Sequence, residues 1–149
     1  AEAITGERPF ARHTAHQAMV AYDGEKMSKS KGNLVRVSTL RSEGVDPMAI
    51  RLVLLAHHYR GEWEWTAEDL TRAQERLEHW RAGLSTDGGP DAIATIAAIR
   101  DAIADDLDTP TALGAVDAWA EQSLAGPGEV RSAPGELARA IDALLGIRL

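Results

Sequence analysis

Residues 17–33 of the chain read QAMVAYDGEKMSKSKGN, and the local structure is predicted to change twice within them. The first five residues, 17–21, form a short apolar run, and Asp23-Gly24 follows closely. Because Asp-Gly after such a run signals a tight turn, the pattern predicts a strand that enters a turn at residues 22–24. The polar run 25–33 has neither a helical nor an alternating period, so we expect a loop there.

Downstream of this stretch the pattern is helical. A short helix is predicted over 38–43 with Gly44 as its stop, and Asp46-Pro47 is a predicted N-cap followed by proline at the first helical position. The helix that Pro47 opens is so apolar that we expect it to be buried on most sides. Four amphipathic helices are predicted from Thr66 onward. Their apolar stripes are Leu70, Ala73, Leu77 and Trp80; Ile93, Ile96, Ile99, Ile103 and Leu107; Leu113, Val116, Ala120 and Leu124; and Leu137, Ile141, Leu144 and Leu145.

The helix boundaries have signals of their own. Thr66 with Asp69 resembles a capping box, Asp91 and Thr109-Pro110 are predicted starts, and a loop is predicted over 126–135. The predicted fold class is therefore mainly α: a short β element with the lysine-rich loop, followed by a small antiparallel helical bundle. We place the domain boundary between a loop-bearing segment, 1–45, and the bundle, 46–149.

Composition excludes several classes of protein. The 149 residues include 44% apolar residues, enough for a buried core, and the formal charge of -7 argues against a broadly basic nucleic-acid surface. No apolar run is long enough to span a membrane. With no cysteine there is no disulfide and no thiolate metal site, which fits a cytoplasmic protein. Because the chain begins at Ala1, we expect it to be a piece of a longer protein.

Positive charge is concentrated in one short segment. Residues 24–36 carry a formal charge of +3, so the other 136 residues sum to -10. Lys26 and Lys29 are suited to meet phosphate oxygens as point charges, while Ser28 and Ser30 add hydroxyl donors. A small polyanion would fit such a loop, whereas a nucleic-acid duplex would need a broad basic face. The alternative is a solvated charged turn with no ligand.

The order of the residues adds a resemblance to a known family. Residues 26–30, KMSKS, are identical to the signature of class I aminoacyl-tRNA synthetases. Two further segments, 57–60 (HHYR) and 105–110 (DDLDTP), resemble the cysteinyl branch of that family. The resemblance covers nearly the whole chain but only about the C-terminal third of such an enzyme.

The resemblance implies an activity. Members of the branch condense ATP and cysteine to cysteinyl-adenylate and pyrophosphate, and a nucleophile then attacks the adenylate. By resemblance, Lys26 and Lys29 are the catalytic residues that neutralise charge on the leaving pyrophosphate. The implied ATP- and adenylate-binding residues are Val20, Lys26, Met27, Ser28, Lys29 and Ser30.

Two groups within the branch share these segments. One is the cysteinyl-tRNA synthetases; the other is the cysteine ligases of mycothiol biosynthesis, which join cysteine to the amine of glucosaminyl-inositol and use no tRNA. Residues 143–149 resemble the terminus of the ligases, whereas the synthetases continue into an anticodon-binding domain. We therefore expect the C-terminal portion of a ligase. A truncated cysteinyl-tRNA synthetase and a non-enzymatic helical interaction module are the alternatives.

Other parts of such an enzyme are not expected in this chain. The resemblance implies an N-terminal catalytic domain upstream and a zinc ion in the full-length enzyme, whose ligands fall before Ala1. We predict no metal site here, and we expect this fragment alone to be inactive. His13 with His16 lacks a third metal ligand. Trp80 and Trp119 are expected in the core.

Overall fold

The computed structural model describes residues 2–126 and 128–149, so Ala1 and Pro127 lie outside the described residues. Within those ranges the chain is mostly helical, as the sequence predicts, and the predicted short β element is part of a three-stranded sheet. The elements in chain order are α1 (Glu2–Thr5), β1 (Val20–Tyr22), β2 (Glu25–Lys26), α2 (Val37–Ser42), α3 (Pro47–Leu55), β3 (Trp63–Glu64), α4 (Ala67–Leu84), α5 (Ile93–Ala104), α6 (Thr109–Ala125) and α7 (Ala133–Leu145). No described helix is both long enough and apolar enough to cross a membrane.

The sheet has the strand order β2-β1-β3. Strand β1 pairs antiparallel with β2, with Ala21 opposite Lys26, and parallel with β3, with Val20 opposite Trp63. The central strand begins three residues later than the predicted run 17–21. Because β3 follows α3 in the chain, the sheet joins residues on both sides of position 45, and the domain boundary placed there stays a prediction.

Local capping signals account for two of the predicted helix starts. The Asp46 carboxylate accepts a hydrogen bond from Met48 N–H at 2.8 Å, with Pro47 opening α3. Thr66 and Asp69 form the expected capping box at the start of α4. The predicted cap at Thr109 is wrong by one residue. Asp108 is the N-cap of α6, because its carboxylate accepts from Thr111 N–H at 3.1 Å.

The core lies between α4 and α6, with α3 against α4, α5 against α6, and α7 against α4 and α5. The prediction that Trp80 and Trp119 are core residues is confirmed, since each is at most 2% exposed. Their indole nitrogens donate to the Asp117 carboxylate and to the Pro90 carbonyl. Each buried ring therefore keeps its polar atom satisfied.

Several predicted core positions are exposed instead. The expectation that α3 is buried on most sides is confirmed, since Ala49, Ile50, Leu52 and Val53 are buried, but Leu54 on the remaining face is 51% exposed. Three further residues of the predicted apolar stripes are exposed because they lie at or beyond a helix end. Ile93 is the first residue of α5, Leu107 lies three residues after that helix ends, and Leu124 lies in the last turn of α6.

The last helix is closed as predicted but starts earlier than predicted. It begins at Ala133, inside the loop predicted over 126–135, because Pro134 and Gly135 are accommodated in its first turn. At the other end Gly146 adopts φ 66°, a left-handed conformation that ends helices with glycine at low cost. Arg51 of α3 donates to the Leu145 carbonyl at 2.7 Å and so ties this end to the bundle.

Candidate functional site

The motif begins on a β-hairpin. Asp23 and Gly24 both have positive φ, 56° and 70°, which is the geometry of a two-residue type I′ turn between paired strands. The Glu64 carboxylate of β3 accepts from Gly24 N–H at 2.6 Å and holds this turn from the far side of the sheet. The tight turn is confirmed, but the prediction of a loop from residue 25 is wrong for its first two residues. The two-residue turn lets pairing continue through Lys26.

One side chain closes the loop that follows. The Asn33 amide nitrogen donates to the Lys26 carbonyl at 3.2 Å, and the Asn33 amide oxygen accepts from Ser28 N–H at 2.8 Å. The carboxamide therefore bonds to the backbone on both sides of Met27 from seven and five residues away. Residues 26–33 therefore form a turn that the Asn33 side chain closes.

Inside this turn the Ser28 hydroxyl bonds to the backbone and to Ser30. Ser28 Oγ accepts from Lys31 N–H at 3.3 Å and lies 3.3 Å from Ser30 Oγ. Gly32, at φ 71°, donates its N–H to the Lys29 carbonyl at 3.3 Å. Glycine suits this left-handed position because it has no Cβ. Both predicted serine ligands thus lie within the motif turn, with Ser28 partly buried and Ser30 exposed.

The three lysines of this turn differ in their partners. Lys31, which lies outside the motif, forms an ion pair with Glu25 at 2.6 Å. Among the residues that the structure describes, the amines of Lys26 and Lys29 have no hydrogen-bond or ion-pair partner, and both residues are exposed. The two motif ammonium groups are thereby left facing solvent beside a neutralised third one, an arrangement that can accept an anion.

Val20 and Met27 anchor the motif to the bundle. The Val20 carbonyl accepts from Met27 N–H at 3.4 Å, and both side chains pack against the hydrophobic core. The side chains of these two predicted ligand residues are therefore partly buried against the bundle.

Imidazole and carboxylate groups of the described residues would have to lie close together to hold a metal ion. Among the described residues no group of three or more histidine, cysteine, aspartate or glutamate side chains is close enough to hold a metal ion. His57 stacks on Trp63 with ring centroids 4.0 Å apart, and its Nε2 is buried without a hydrogen-bond partner. Burial lowers the pKa of His57, and nearby Arg72 adds to this, while Asp69 opposes it. A zinc ion has no set of donors in this part of the chain.

Of the two residues outside the pentapeptide that shape the motif, one is expected from the sequence and one is missed. Asn33 and Glu64 both bond to the hairpin or the turn. The family resemblance implies that Asn33 shapes the loop, and its carboxamide bonds to Lys26 and Ser28 of the turn. Glu64 is 40 residues from its partner, and no sequence pattern marks it.

A known family model matches about half of the chain. Residues 1–75, which include the hairpin and the motif, match the family model of the class I (C) tRNA synthetase catalytic domain. The chain belongs to this family.

Curated relatives resemble the chain along almost all of its length. It is 59% identical over 145 residues to a protein of Thermobifida fusca and 57% identical over 149 residues to one of Streptomyces griseus. It is 63% identical over 135 residues to a protein of Sanguibacter keddieii. All three carry the name L-cysteine:1D-myo-inositol 2-amino-2-deoxy-alpha-D-glucopyranoside ligase. These matches cover 97%, 100% and 90% of this chain but 35%, 36% and 32% of the relatives, so the chain spans about a third of their length.

Proposed function

We propose that this chain is the C-terminal portion of an ATP-dependent ligase that activates cysteine and transfers it to the amine of glucosaminyl-inositol in mycothiol biosynthesis. The names of the relatives support the reaction, and the two unpaired motif lysines support the role of this portion. The upstream part of the enzyme would supply the remainder of the active site. Any zinc site would lie there as well.

The first step gathers negative charge on a leaving group. A carboxylate oxygen of cysteine attacks the α-phosphorus of ATP, the bond from that phosphorus to the bridging oxygen breaks, and pyrophosphate leaves with both electrons. Cations that are already in place stabilise this charge as it develops. Lys26 and Lys29 fit this role because neither must break an ion pair before it meets phosphate.

The nucleophile of the second step is the acceptor substrate and not a side chain of this protein. The amine of the acceptor attacks the carbonyl carbon of the adenylate, AMP leaves through its phosphate oxygen, and the nitrogen loses a proton to form the amide. In this step Val20 would contact the adenylate through its backbone, and Ser28 and Ser30 would keep the motif turn in shape. Met27 would hold the turn against the bundle.

Replacing either motif lysine in the full-length enzyme tests the proposal. We expect Lys26→Ala and Lys29→Ala each to lower ATP–pyrophosphate exchange by on the order of 10²–10³, with a smaller effect on the KM for cysteine. Lys31→Ala is the matched control, since it removes the same group from the same turn but from a lysine already paired with Glu25. Exchange that is unchanged in both motif variants would reject the proposed role.

Cysteinyl-tRNA synthesis is the second candidate, because the matching family model describes tRNA synthetases. The two candidates share the first step and differ in the acceptor. Full-length protein supplied with ATP and cysteine should form an amide with glucosaminyl-inositol and should leave tRNA uncharged. Charging of tRNA in the same assay would overturn the choice of acceptor.

A further inference from the structure

Two segments that the sequence marks as distinctive contact each other at the edge of the sheet. The segment 57–60 follows α3, and the segment 105–110 connects α5 to α6. We infer that Asp106 of the second segment is a positioning residue, which holds the first segment as the support for strand β1 and so fixes the motif hairpin relative to the bundle. This inference rests on the proposed function of the motif lysines.

Asp106 bonds to three consecutive residues of the first segment. Its carboxylate accepts from Tyr59 Oη at 2.7 Å and from Arg60 Nη2 at 3.0 Å, and its other oxygen lies 2.8 Å from Arg60 Nε. The Asp106 carbonyl accepts from His58 Nε2 at 3.1 Å. Arg60 Nε also donates to Tyr59 Oη at 2.8 Å, so the partners bond to one another as well. The hydrogen bond from Tyr59, together with the Arg60 guanidinium, keeps the pKa of Asp106 below its usual range.

The supported segment in turn binds the strand that carries the motif. The Tyr59 carbonyl accepts from Ala18 N–H at 2.8 Å, two residues before β1 begins. On the other side of this contact, Trp63 N–H donates to the Met19 carbonyl at 3.4 Å and β3 pairs with β1. Ala21 of β1 lies opposite Lys26 of β2. Asp106 is therefore connected to the first motif lysine through Tyr59 and strand β1.

The turn that presents Asp106 adopts a backbone conformation that side chains rarely favour. Asp106 and Leu107 have φ values of 53° and 59°, in the left-handed region, and Leu107 is 53% exposed. Burial of Leu107 therefore does not explain the conformation. In this conformation the carbonyl and the carboxylate of Asp106 both face the segment 58–60. Backbone hydrogen bonds that close the end of α5 hold this turn, from Leu107 N–H to the Ile103 carbonyl at 3.2 Å and from Asp108 N–H to the Ala102 carbonyl at 3.0 Å.

The same three parts of the chain also line one groove of about 340 Å³. Val20 comes from β1, Tyr59 from the supported segment, and Leu107 from the turn. Asp106 itself is exposed, and its side chain makes no contribution to the buried core. Its removal should therefore disturb the placement of β1 while leaving the bundle folded.

The experiment uses the full-length enzyme with Asp106→Ala and, as the matched control, Asp105→Ala. Asp105 is the preceding residue, is exposed, and has no side-chain partner among the described residues. We expect Asp106→Ala to lower the kcat of ATP–pyrophosphate exchange by roughly tenfold, since small misplacements far from the chemistry can have effects of this size. The KM for cysteine should stay unchanged. Tyr59→Phe, which removes only the hydroxyl, should show a smaller loss in the same direction.

Two further readouts separate positioning from a structural role. Hydrogen exchange of the amides at 18–26 should accelerate in Asp106→Ala, while exchange in α4 and α6 stays as in the wild type. In a Lys29→Ala background, Asp106→Ala should lower the rate of ATP–pyrophosphate exchange by less than tenfold, because the effect of Asp106 passes through the motif.

Each outcome decides a different point. Full independence of the two substitutions, or faster hydrogen exchange throughout the bundle, would overturn the inference in favour of a structural role. Activity in Asp106→Ala equal to that of Asp105→Ala would also overturn it while leaving the proposed function standing. A wild-type enzyme without ATP–pyrophosphate exchange would instead reject the proposed function.

Discussion

The helical bundle and the motif turn are held together by different forces. In the bundle, many large apolar side chains on α4 to α7 are almost completely buried, including Trp80, Ile99, Leu113 and Leu137. In the turn at 26–33 the described residues include no fully buried side chain, and the shape comes from hydrogen bonds to Asn33 and Ser28. Close packing fixes a structure against most small changes, whereas a few exposed hydrogen bonds leave a segment free to adapt to a ligand. The bundle is therefore expected to determine stability and the turn to determine activity.

The largest effect on stability is expected where the bundle helices α4 and α6 approach each other closely. A Cβ at Gly83 of α4 would lie 2.9 Å from the Ala120 Cα of α6, so the helices would have to separate. We expect Gly83→Ala to lower the free energy of unfolding by about 1–3 kcal/mol, as overpacking does. Gly114→Ala is the control within a helix, because nothing lies within 4 Å of its Cβ. It should raise stability by about 0.5–1 kcal/mol. Urea unfolding of both variants measures the contrast, and equal effects would contradict the close approach.

A smaller effect is expected in the turn, where a substitution should lower activity and leave stability unchanged. Asn33→Ala removes both bonds that close residues 26–33, so the motif backbone should sample other shapes. We expect roughly tenfold lower ATP–pyrophosphate exchange, equivalent to about 1.4 kcal/mol, with the melting temperature unchanged. Ser38→Ala is the control for loss of a nearby polar group, because Ser38 is exposed on α2 and its side chain has no hydrogen bond among the described residues. A lower melting temperature with normal exchange activity would show that the turn serves stability instead.

The smallest effect is expected at the start of the bundle. Asp46→Ala removes the cap of α3 and the partner of Arg81, at a cost of about 1 kcal/mol in unfolding free energy. The Met48 N–H bond, aided by Arg81, lowers the pKa of Asp46 against the opposing effect of burial. Because the folded pKa lies below the unfolded one, this stabilisation is present above about pH 4 and is lost as the pH falls further.

Unfolding midpoints of wild type and Asp46→Ala, measured between pH 7 and pH 3, check this prediction. The difference between the two proteins should shrink as the solution becomes more acidic. A difference that grows on acidification would contradict the assigned sign. The rate of ATP–pyrophosphate exchange at pH 7 should be the same in both proteins, because Asp46 contributes to the stability of the bundle and not to the activity of the motif.

Sequence patterns predict local features of this chain well and distant contacts poorly. The turn at Asp23-Gly24 and the capping box at Thr66 depend on neighbouring residues, and both are present. Lys26 was placed in a loop because a two-residue strand at a sheet edge has no periodicity to detect. The spacing of Leu107 in the sequence fits the apolar stripe of α5, but the residue lies beyond the end of that helix.

The candidate site shows the same limit. The pentapeptide marks the lysines and Ser28, but other side chains that shape the site come from outside it. Glu64 and Asp106 are separated from their partners by 40 and 47 residues, and only folding brings them together. Which ion pair forms is equally invisible in sequence, since Glu25 precedes Lys26 directly yet bonds to Lys31. The catalytic roles of Lys26 and Lys29 remain predictions.

The rate at which each lysine amine reacts with an acetylating reagent, in the full-length enzyme with and without ATP, tests the account most directly. If the motif amines meet the triphosphate, saturating ATP should slow the acetylation of Lys26 and Lys29 and leave that of Lys31 almost unchanged, because Lys31 is already paired with Glu25. Acetylation of Lys26 and Lys29 at the same rate with and without ATP would contradict the account.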